Sequence, residues 1–352
     1  MSSSPPIVRV PPQELPSALK SLVMFGRRQT AVTIRSFIAY AEAANMDLDQ
    51  CWAMQQEDGR LHPVCLALPS PGATAMVFAS DVGSAKNIDV FEQGVRVLRH
   101  ALRHMDTSRI HLAQALIARS EKGTGKLLQD SGFEWLAGLS YLERRIGSKD
   151  RAPIGSSHHD DRLDSFVFEP HDGTGSDGNE SDFSRVIEAS YEQTLDCPGL
   201  RGARTMREVM EGHKATGYFR PDLWTLARCA SSNKPAGVLL LNPLTPLDSE
   251  PADEHDEDGD VIAELVYLGI HPDFRQRGLA RRLLEIGIGK LAATQRITKL
   301  VLAVDEVNEP ARHLYKSFSF YRTDRRIAYI YPLAHRVAVN DRMDSPGSEC
   351  AS

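Results

Sequence analysis

Apolar residues fall along this chain in short runs with two different periods. Residues 279, 283, 284, 288 and 291 fall at i, i+4, i+5, i+9 and i+12, along one helix face, and predict a helix over 278–294. Residues 261–270, 299–304 and 326–331 are short apolar runs of the kind that form buried strands. The same reading over the second half predicts a strand at 165–169, helices at 183–195 and 206–217, strands at 223–230 and 236–241, and a helix at 309–318. In the first half it predicts helices at 18–25 and 34–44, strands at 51–55, 64–68 and 74–79, and a helix at 90–105. A strand at 110–117, a helix at 125–131 and a strand at 139–144 follow. Each half approximates the order β-α-α-β-β-β-α-β-α-β, so the chain is expected to be an α/β tandem duplication.

Polar stretches set the expected boundaries. Residues 147–164, rich in Ser, Asp and His, read as a linker between a domain at 1–146 and one at 165–335; 173–181 reads as a loop and 336–352 as a disordered tail. The length of 352 residues agrees with two domains. The net charge of −6 is concentrated in Asp248, Glu250, Asp253, Glu254, Asp256, Glu257, Asp258 and Asp260, and the rest of the chain carries a small positive excess. That stretch is expected to be a solvated loop, with attraction of a cationic amine as its functional alternative. The five cysteines are scattered without a C-x-x-C pair, which argues against a zinc site or a disulfide framework and for a reducing, cytoplasmic setting. No apolar run approaches the roughly 18 residues of a membrane span, and the Ser- and Pro-rich first ten residues show no secretory pattern. No basic stripe with interleaved aromatics suggests a nucleic acid partner.

The chemistry concentrates between Ala263 and Phe320. Arg275-Gln276-Arg277-Gly278-Leu279-Ala280 leads from a strand into a helix, where free backbone N–H groups and the positive dipole end suit a phosphate or pyrophosphate. This segment resembles the R/Q-x-x-G-x-G/A loop that holds the acetyl-CoA pyrophosphate in the GNAT acetyltransferase superfamily. A second segment, running from Asn308 through Ala311, Leu314 and Tyr315 to Ser319 and Phe320, resembles the family's N-x-x-A-x-x-L-Y-x-x-x-G-F pattern, with Ser319 where glycine is usual.

The resemblance covers about 165–333. It implies an acyl-CoA N-acyltransferase (GNAT) fold, a mixed central sheet flanked by helices, with acetyl-CoA as co-substrate and no metal. It also implies that Leu268, Gly269 and Ile270 pair with the pantetheine arm and that Gln276, Arg277, Gly278, Leu279 and Ala280 surround the pyrophosphate beside Arg275. Asn308 matches the asparagine that bonds the pantetheine, and as plain sequence it also reads as a helix N-cap. Tyr315 matches the tyrosine near the thioester sulfur and is the general-acid candidate. Glu264 resembles the strand glutamate that acts as base in the histone-acetyltransferase branch; without that resemblance it is a solvent-facing residue on an alternating strand. Asp196 and Arg204, on the connection expected to line the acceptor pocket, are candidate substrate contacts, as are Tyr267 and Asp305.

Other signals carry less. Lys122-Gly123-Thr124-Gly125-Lys126 lacks the first glycine and the final Ser/Thr of a Walker A loop, and His158-His159-Asp160-Asp161 on the linker has no supporting partners for a metal. The first half has Leu128 where the acid tyrosine belongs and no phosphate loop, so it reads as a degenerate, non-catalytic copy; the tandem arrangement resembles that of mycothiol synthase. The expected activity is acetyl transfer to a primary amine by direct attack in a ternary complex, with a small-molecule acceptor. Protein lysine or N-terminal acetylation and a non-catalytic acyl-CoA sensor are the alternatives.

Overall fold

The computed structural model describes residues 5–24, 27–28, 30–43, 46–82, 88–151, 165–174, 178–247 and 261–333. The acidic stretch at 248–260, linker residues 152–164 with their His-Asp cluster, residues 175–177 of the loop expected at 173–181, and the tail from 334 lie outside the described residues. The chain divides into two compact units, 1–137 with 202–204 and 326–352, and 138–201 with 205–325.

The first unit contains β1 (Ile7–Arg9), α1 (Leu15–Leu19), the short pair β2 (Val23–Met24) and β3 (Arg27–Arg28), and α2 (Ala31–Ala43). After these come β4 (Cys51–Gln55), β5 (Leu61–Ser70), β6 (Thr74–Ala79), α3 (Ile88–Arg103), β7 (Leu112–Ala118), α4 (Lys122–Ser131) and the start of β8 (Glu134–Arg145). A helix over 18–25 does not form: α1 ends at Leu19, and Val23 and Met24 pair with Arg28 and Arg27. An apolar run this short satisfies either period, and burial of Leu19 and Leu22 is met without continuing the helix.

The second unit repeats the order with β9 (Phe166–Pro170), α5 (Glu180–Ser190), α6 (Met206–Ala215), β10 (Thr225–Cys229), β11 (Pro235–Pro243) and β12 (Val261–Ile270). These lead to α7 (Leu279–Ala293), β13 (Ile297–Asp305), α8 (Glu309–Ser317) and β14 (Tyr321–Pro332). Strands β9 to β12 are antiparallel neighbours, and β12 runs parallel to β13. The last strand of each repeat is exchanged. β13 takes β8 as its antiparallel neighbour, with Leu302 opposite Leu142, while β7 takes β14, with Ala115 opposite Tyr329.

Two apolar layers hold the second unit. Leu279, Leu283, Leu284, Ile288 and Leu291 of α7 pack with Leu239, Leu241, Leu300 and Leu302 on one face of the sheet. Phe183, Ile187, Val209 and Met210 of α5 and α6 pack with Trp224, Val238 and Leu240 on the other. The α7 layer depends on Gly287, where a Cβ would lie 2.3 Å from Leu239 Cδ2 and 2.8 Å from Leu241 Cδ1. The heptad-like spacing of α7 therefore becomes a close helix–sheet contact only because that position has no side chain.

Candidate active site

β12 and β13 are paired only from Val261 to Glu264 on one strand and Ile297 to Val301 on the other. Beyond Glu264 they part, while β12 stays bonded to β11 through Leu268, Gly269 and Ile270 on its other edge. The register shift at Leu240/Leu241 places Leu265 and Tyr267 on successive β11 partners and leaves Val266 as an extra residue, a bulge that bends β12. The diverging strands open a cleft of about 570 Å³ within the second unit, with Leu265–Ile270 on one wall and Ala303, Val304, Asn308, Ala311, Leu314 and Tyr315 on the other. The edge of Leu265–Ile270 that faces this cleft has no strand partner among the described residues, so its peptide groups, apart from the Ile270 carbonyl that accepts from Arg275, are available to an extended ligand.

The turn into α7 lines the same cleft. Gln276 and Gly278 have φ of 61° and 78°, both left-handed, and Gly278 is the N-cap without a side-chain cap bond. The first hydrogen bond of the helix runs from Arg282 N to Gly278 O, leaving the N–H groups of Leu279, Ala280 and Arg281 without an intrahelical acceptor. A Cβ at Gly278 would meet nothing within 4 Å, so the turn is open on the side where it lines the cleft. Open N–H groups, a concave left-handed turn and a helix dipole form an anion cradle.

The arginines of this loop divide their work. Arg275 lines the cleft, but its guanidinium donates to Ser190 O at 2.9 Å, Glu192 O at 2.8 Å and Ile270 O at 3.4 Å, capping the end of α5. Arg277 does not line the cleft; it donates to Asp273 O at 2.9 Å and lies over the Phe274 ring. Arg281 does line it, held by a 2.8 Å bond to Ser317 Oγ.

Tyr315, Tyr267, Asn308 and Asp196 also line the cleft. Burial raises the pKa of the Tyr315 phenol, as does the nearby charge of Asp196, and the hydroxyl has no hydrogen-bond partner among the described residues. Tyr267 donates to Ser190 Oγ at 2.7 Å, because the Ser190 hydroxyl itself donates to Ile187 O; burial raises this phenol too. Asn308 is the N-cap of α8, its Oδ1 accepting from Ala311 N at 3.2 Å, and its side chain also bonds Asp196.

Besides Arg277, three more of the sequence candidates stand off the cleft wall. Glu264 sits where β12 and β13 are still paired and is not on the cleft wall; burial raises its pKa. Asp305 is 2 % exposed and accepts from the backbone N–H groups of Cys197 and Val307, which makes it a turn brace. Arg204 groups with the first unit, donating to Gly72 O at 3.2 Å. Conversely, Ser190, Gln193 and Thr194 line the cleft although the sequence reading passed over them. Ser190 on the buried face of α5 was the available signal, a small polar residue where the apolar period calls for a hydrophobic one.

In the first unit the counterpart of Tyr315 in the order of elements, Leu128, is 1 % exposed in an apolar core with Val82 and Leu127. Among the described residues no cluster of His, Cys, Asp and Glu is arranged to hold a metal ion, and no helix is long and apolar enough to cross a membrane.

Residues 193–320 match the sequence profile of the Acetyltransferase (GNAT) family. No curated protein sequence matches the chain. Among solved structures, a GCN5-related N-acetyltransferase from Sphaerobacter thermophilus is similar over 93% of this chain and 95% of its own, with a TM-score of 0.57 and 14% identity. A tandem GNAT protein from the clavulanic acid biosynthesis pathway aligns over 93% of this chain and 98% of its own, with a TM-score of 0.49 and 14% identity. The profile match falls on the residues that form the cleft between β12 and β13: the span 193–320 carries a domain of the GNAT family.

Proposed function

We propose that the second unit transfers an acetyl group from acetyl-CoA to a primary amine of a small molecule, by direct attack within a ternary complex. The observation that carries this reading is the single cleft joining an anion cradle at Gly278 to a buried phenol at Tyr315. The residues fit the co-substrate. Backbone N–H groups of Leu279 and Ala280 suit the pyrophosphate, and the free edge of Leu268–Ile270 suits the amide-bearing pantetheine arm.

Backbone donors on the same free edge would stabilise the oxyanion that develops at the thioester carbonyl. Tyr315, kept protonated by burial, would give its proton to the departing thiolate. Arg275 contributes by fixing the cradle to the end of α5, and Asn308 by fixing the start of α8. The first unit, with an apolar core at Leu128, would serve a structural or substrate-shaping role.

Calorimetric titration with acetyl-CoA, followed by thiol release with an amine panel, tests the proposal. Wild type should bind about one equivalent. A Gly278→Val change, which forces a β-branched residue to φ of 78°, should weaken binding at least about tenfold. Tyr315→Phe should keep the affinity and lose about 10²-fold or more in kcat. Unchanged turnover in Tyr315→Phe would remove the acid role, and absence of binding in wild type would remove the whole reading.

A further inference from the structure

We propose that Asp196 is the general base of the transfer, the group that takes the proton from the acceptor's ammonium. The proposal rests on the acetyl-transfer reading above, and it moves the base from strand β12 to the loop after α5. An aliphatic amine is an ammonium ion at neutral pH and has no lone pair for attack, so a proton acceptor must stand beside it in the cleft. Among the described residues that line the cleft, Asp196 is the one carboxylate, and there is no histidine. Glu264 is on the same strand as the cleft wall but below the point where the strands part.

The loop holds the Asp196 carboxylate in a fixed place. Its Oδ1 accepts from Asp305 N at 2.9 Å, and the Asn308 side chain donates to it as well. The loop is pinned from the other side by Cys197 N donating to Asp305 Oδ2 at 3.2 Å. Two donors leave about half of a carboxylate's lone-pair sites for a ligand. Asp196 is close enough for its charge to raise both the Tyr315 and the Tyr267 phenols, so the proposed base and acid are neighbours in the cleft. The surrounding protein raises the carboxyl's own pKa, chiefly by desolvation and further by the charge of Asp305, while the residue as a whole remains exposed. A base raised in this way holds the transferred proton better than a free carboxylate does.

The proton balance closes with these groups. Asp196 removes one proton from R–NH₃⁺, and the nitrogen lone pair forms the C–N bond to the thioester carbonyl. As the C–S bond breaks, the sulfur takes the Tyr315 proton, and the second nitrogen proton restores the phenol. The proton on Asp196 leaves to solvent, so one amide, one thiol and one proton result.

The test uses the full chain with two acceptors: butylamine, an ammonium ion at neutral pH, and hydroxylamine, whose nitrogen is already unprotonated there. Asp196→Asn retains the oxygen that accepts from Asp305 N, so acetyl-CoA affinity should stay within about threefold of wild type. Its butylamine turnover at neutral pH should fall about 10²-fold or more and recover as pH rises, while its hydroxylamine turnover should stay near wild type. Equal loss on both acceptors, no loss on either, loss in Glu264→Gln instead, or wild-type turnover of hydroxylamine alone would each overturn the assignment. Wild type that fails to bind acetyl-CoA, or binds it and acetylates neither acceptor, would refute the transferase reading itself.

Discussion

Asp196 and Asp305 are joined by crossed hydrogen bonds: the Asp196 carboxylate accepts from Asp305 N at 2.9 Å, and the Asp305 carboxylate accepts from Cys197 N at 3.2 Å. The second Asp305 oxygen accepts from Val307 N at 3.1 Å, so one buried side chain ties the loop after α5 to the turn between β13 and α8. Asp305→Ala would leave both N–H groups without their acceptor. The expected cost is about 1–3 kcal/mol of stability, read from urea unfolding. Turnover should fall as well, because the loop that carries Asp196 loses its tie at Cys197 N and keeps only the bond to the backbone N–H of residue 305, whereas acetyl-CoA affinity should hold because the Gly278 cradle is built separately. Loss of affinity equal to the loss of turnover would show that the brace serves the whole cleft.

Glu264 offers a pH test. It lies opposite Asn242 on β11 and Val301 on β13, has no hydrogen-bond partner among the described residues, and burial raises its pKa above the ordinary 4.5. The folded protein therefore holds this proton more tightly than the unfolded chain does. The contribution is fully present below pH 4.5 and is lost as pH rises through the folded-state pKa. Glu264→Gln removes that loss, so the variant should be more stable than wild type in mildly alkaline buffer, with the gap closing toward pH 4. Urea midpoints across that range read it directly. A gap that does not vary with pH would show that the carboxylate is not desolvated by folding.

What the sequence made legible was local. The turn at Gly278, the N-cap at Asn308 and the placement of Tyr315 on a cleft-facing helix all depend on residues within one turn of each other, and the structure brings them to one cleft. Side-chain direction was not legible in the same way. Arg275 has a phosphate-binding position in the motif, yet three backbone carbonyls, two of them on the α5 side, take its guanidinium. Arg204 and Asp196 sit on one connection and look alike as charged loop residues, but Arg204 groups with the first unit and Asp196 enters the cleft. The exchange of β8 and β14 was invisible for a related reason. Period and composition mark a strand, and nothing in them names the sheet that it joins.

Ser319 ends α8 in the left-handed region, with φ of 63°, at the position where the family resemblance places glycine. A side chain there costs roughly 1–2 kcal/mol of backbone strain, against about 0.5–1 kcal/mol of extra chain entropy that glycine loses on folding. Ser319 is exposed, so little packing is lost. Ser319→Gly should raise stability by about 0.5–1 kcal/mol, seen as a higher melting temperature with unchanged acetyl-CoA affinity. A lower melting temperature would mean that the serine hydroxyl contributes more than the strain costs.

The exchanged strands predict that the two halves of the chain hold together without a covalent link. β8 belongs to the first half of the sequence but pairs with β13 from Arg145 opposite Lys299 to Leu139 opposite Asp305. β14 belongs to the second half but pairs with β7 from Ala118 opposite Arg326 to Leu112 opposite Pro332. A protease site inserted within 152–164 would cut the connection and leave both pairings in place. The cleaved protein should therefore elute from a sizing column at the mass of the intact chain and separate only in denaturant. Residues 165–333 expressed alone would leave one edge of β13 and the C-terminal part of β14 without partners, and should aggregate or melt without cooperativity. Two fragments that part in native buffer, or a second half that melts cooperatively alone, would show that each repeat is completed by its own last strand.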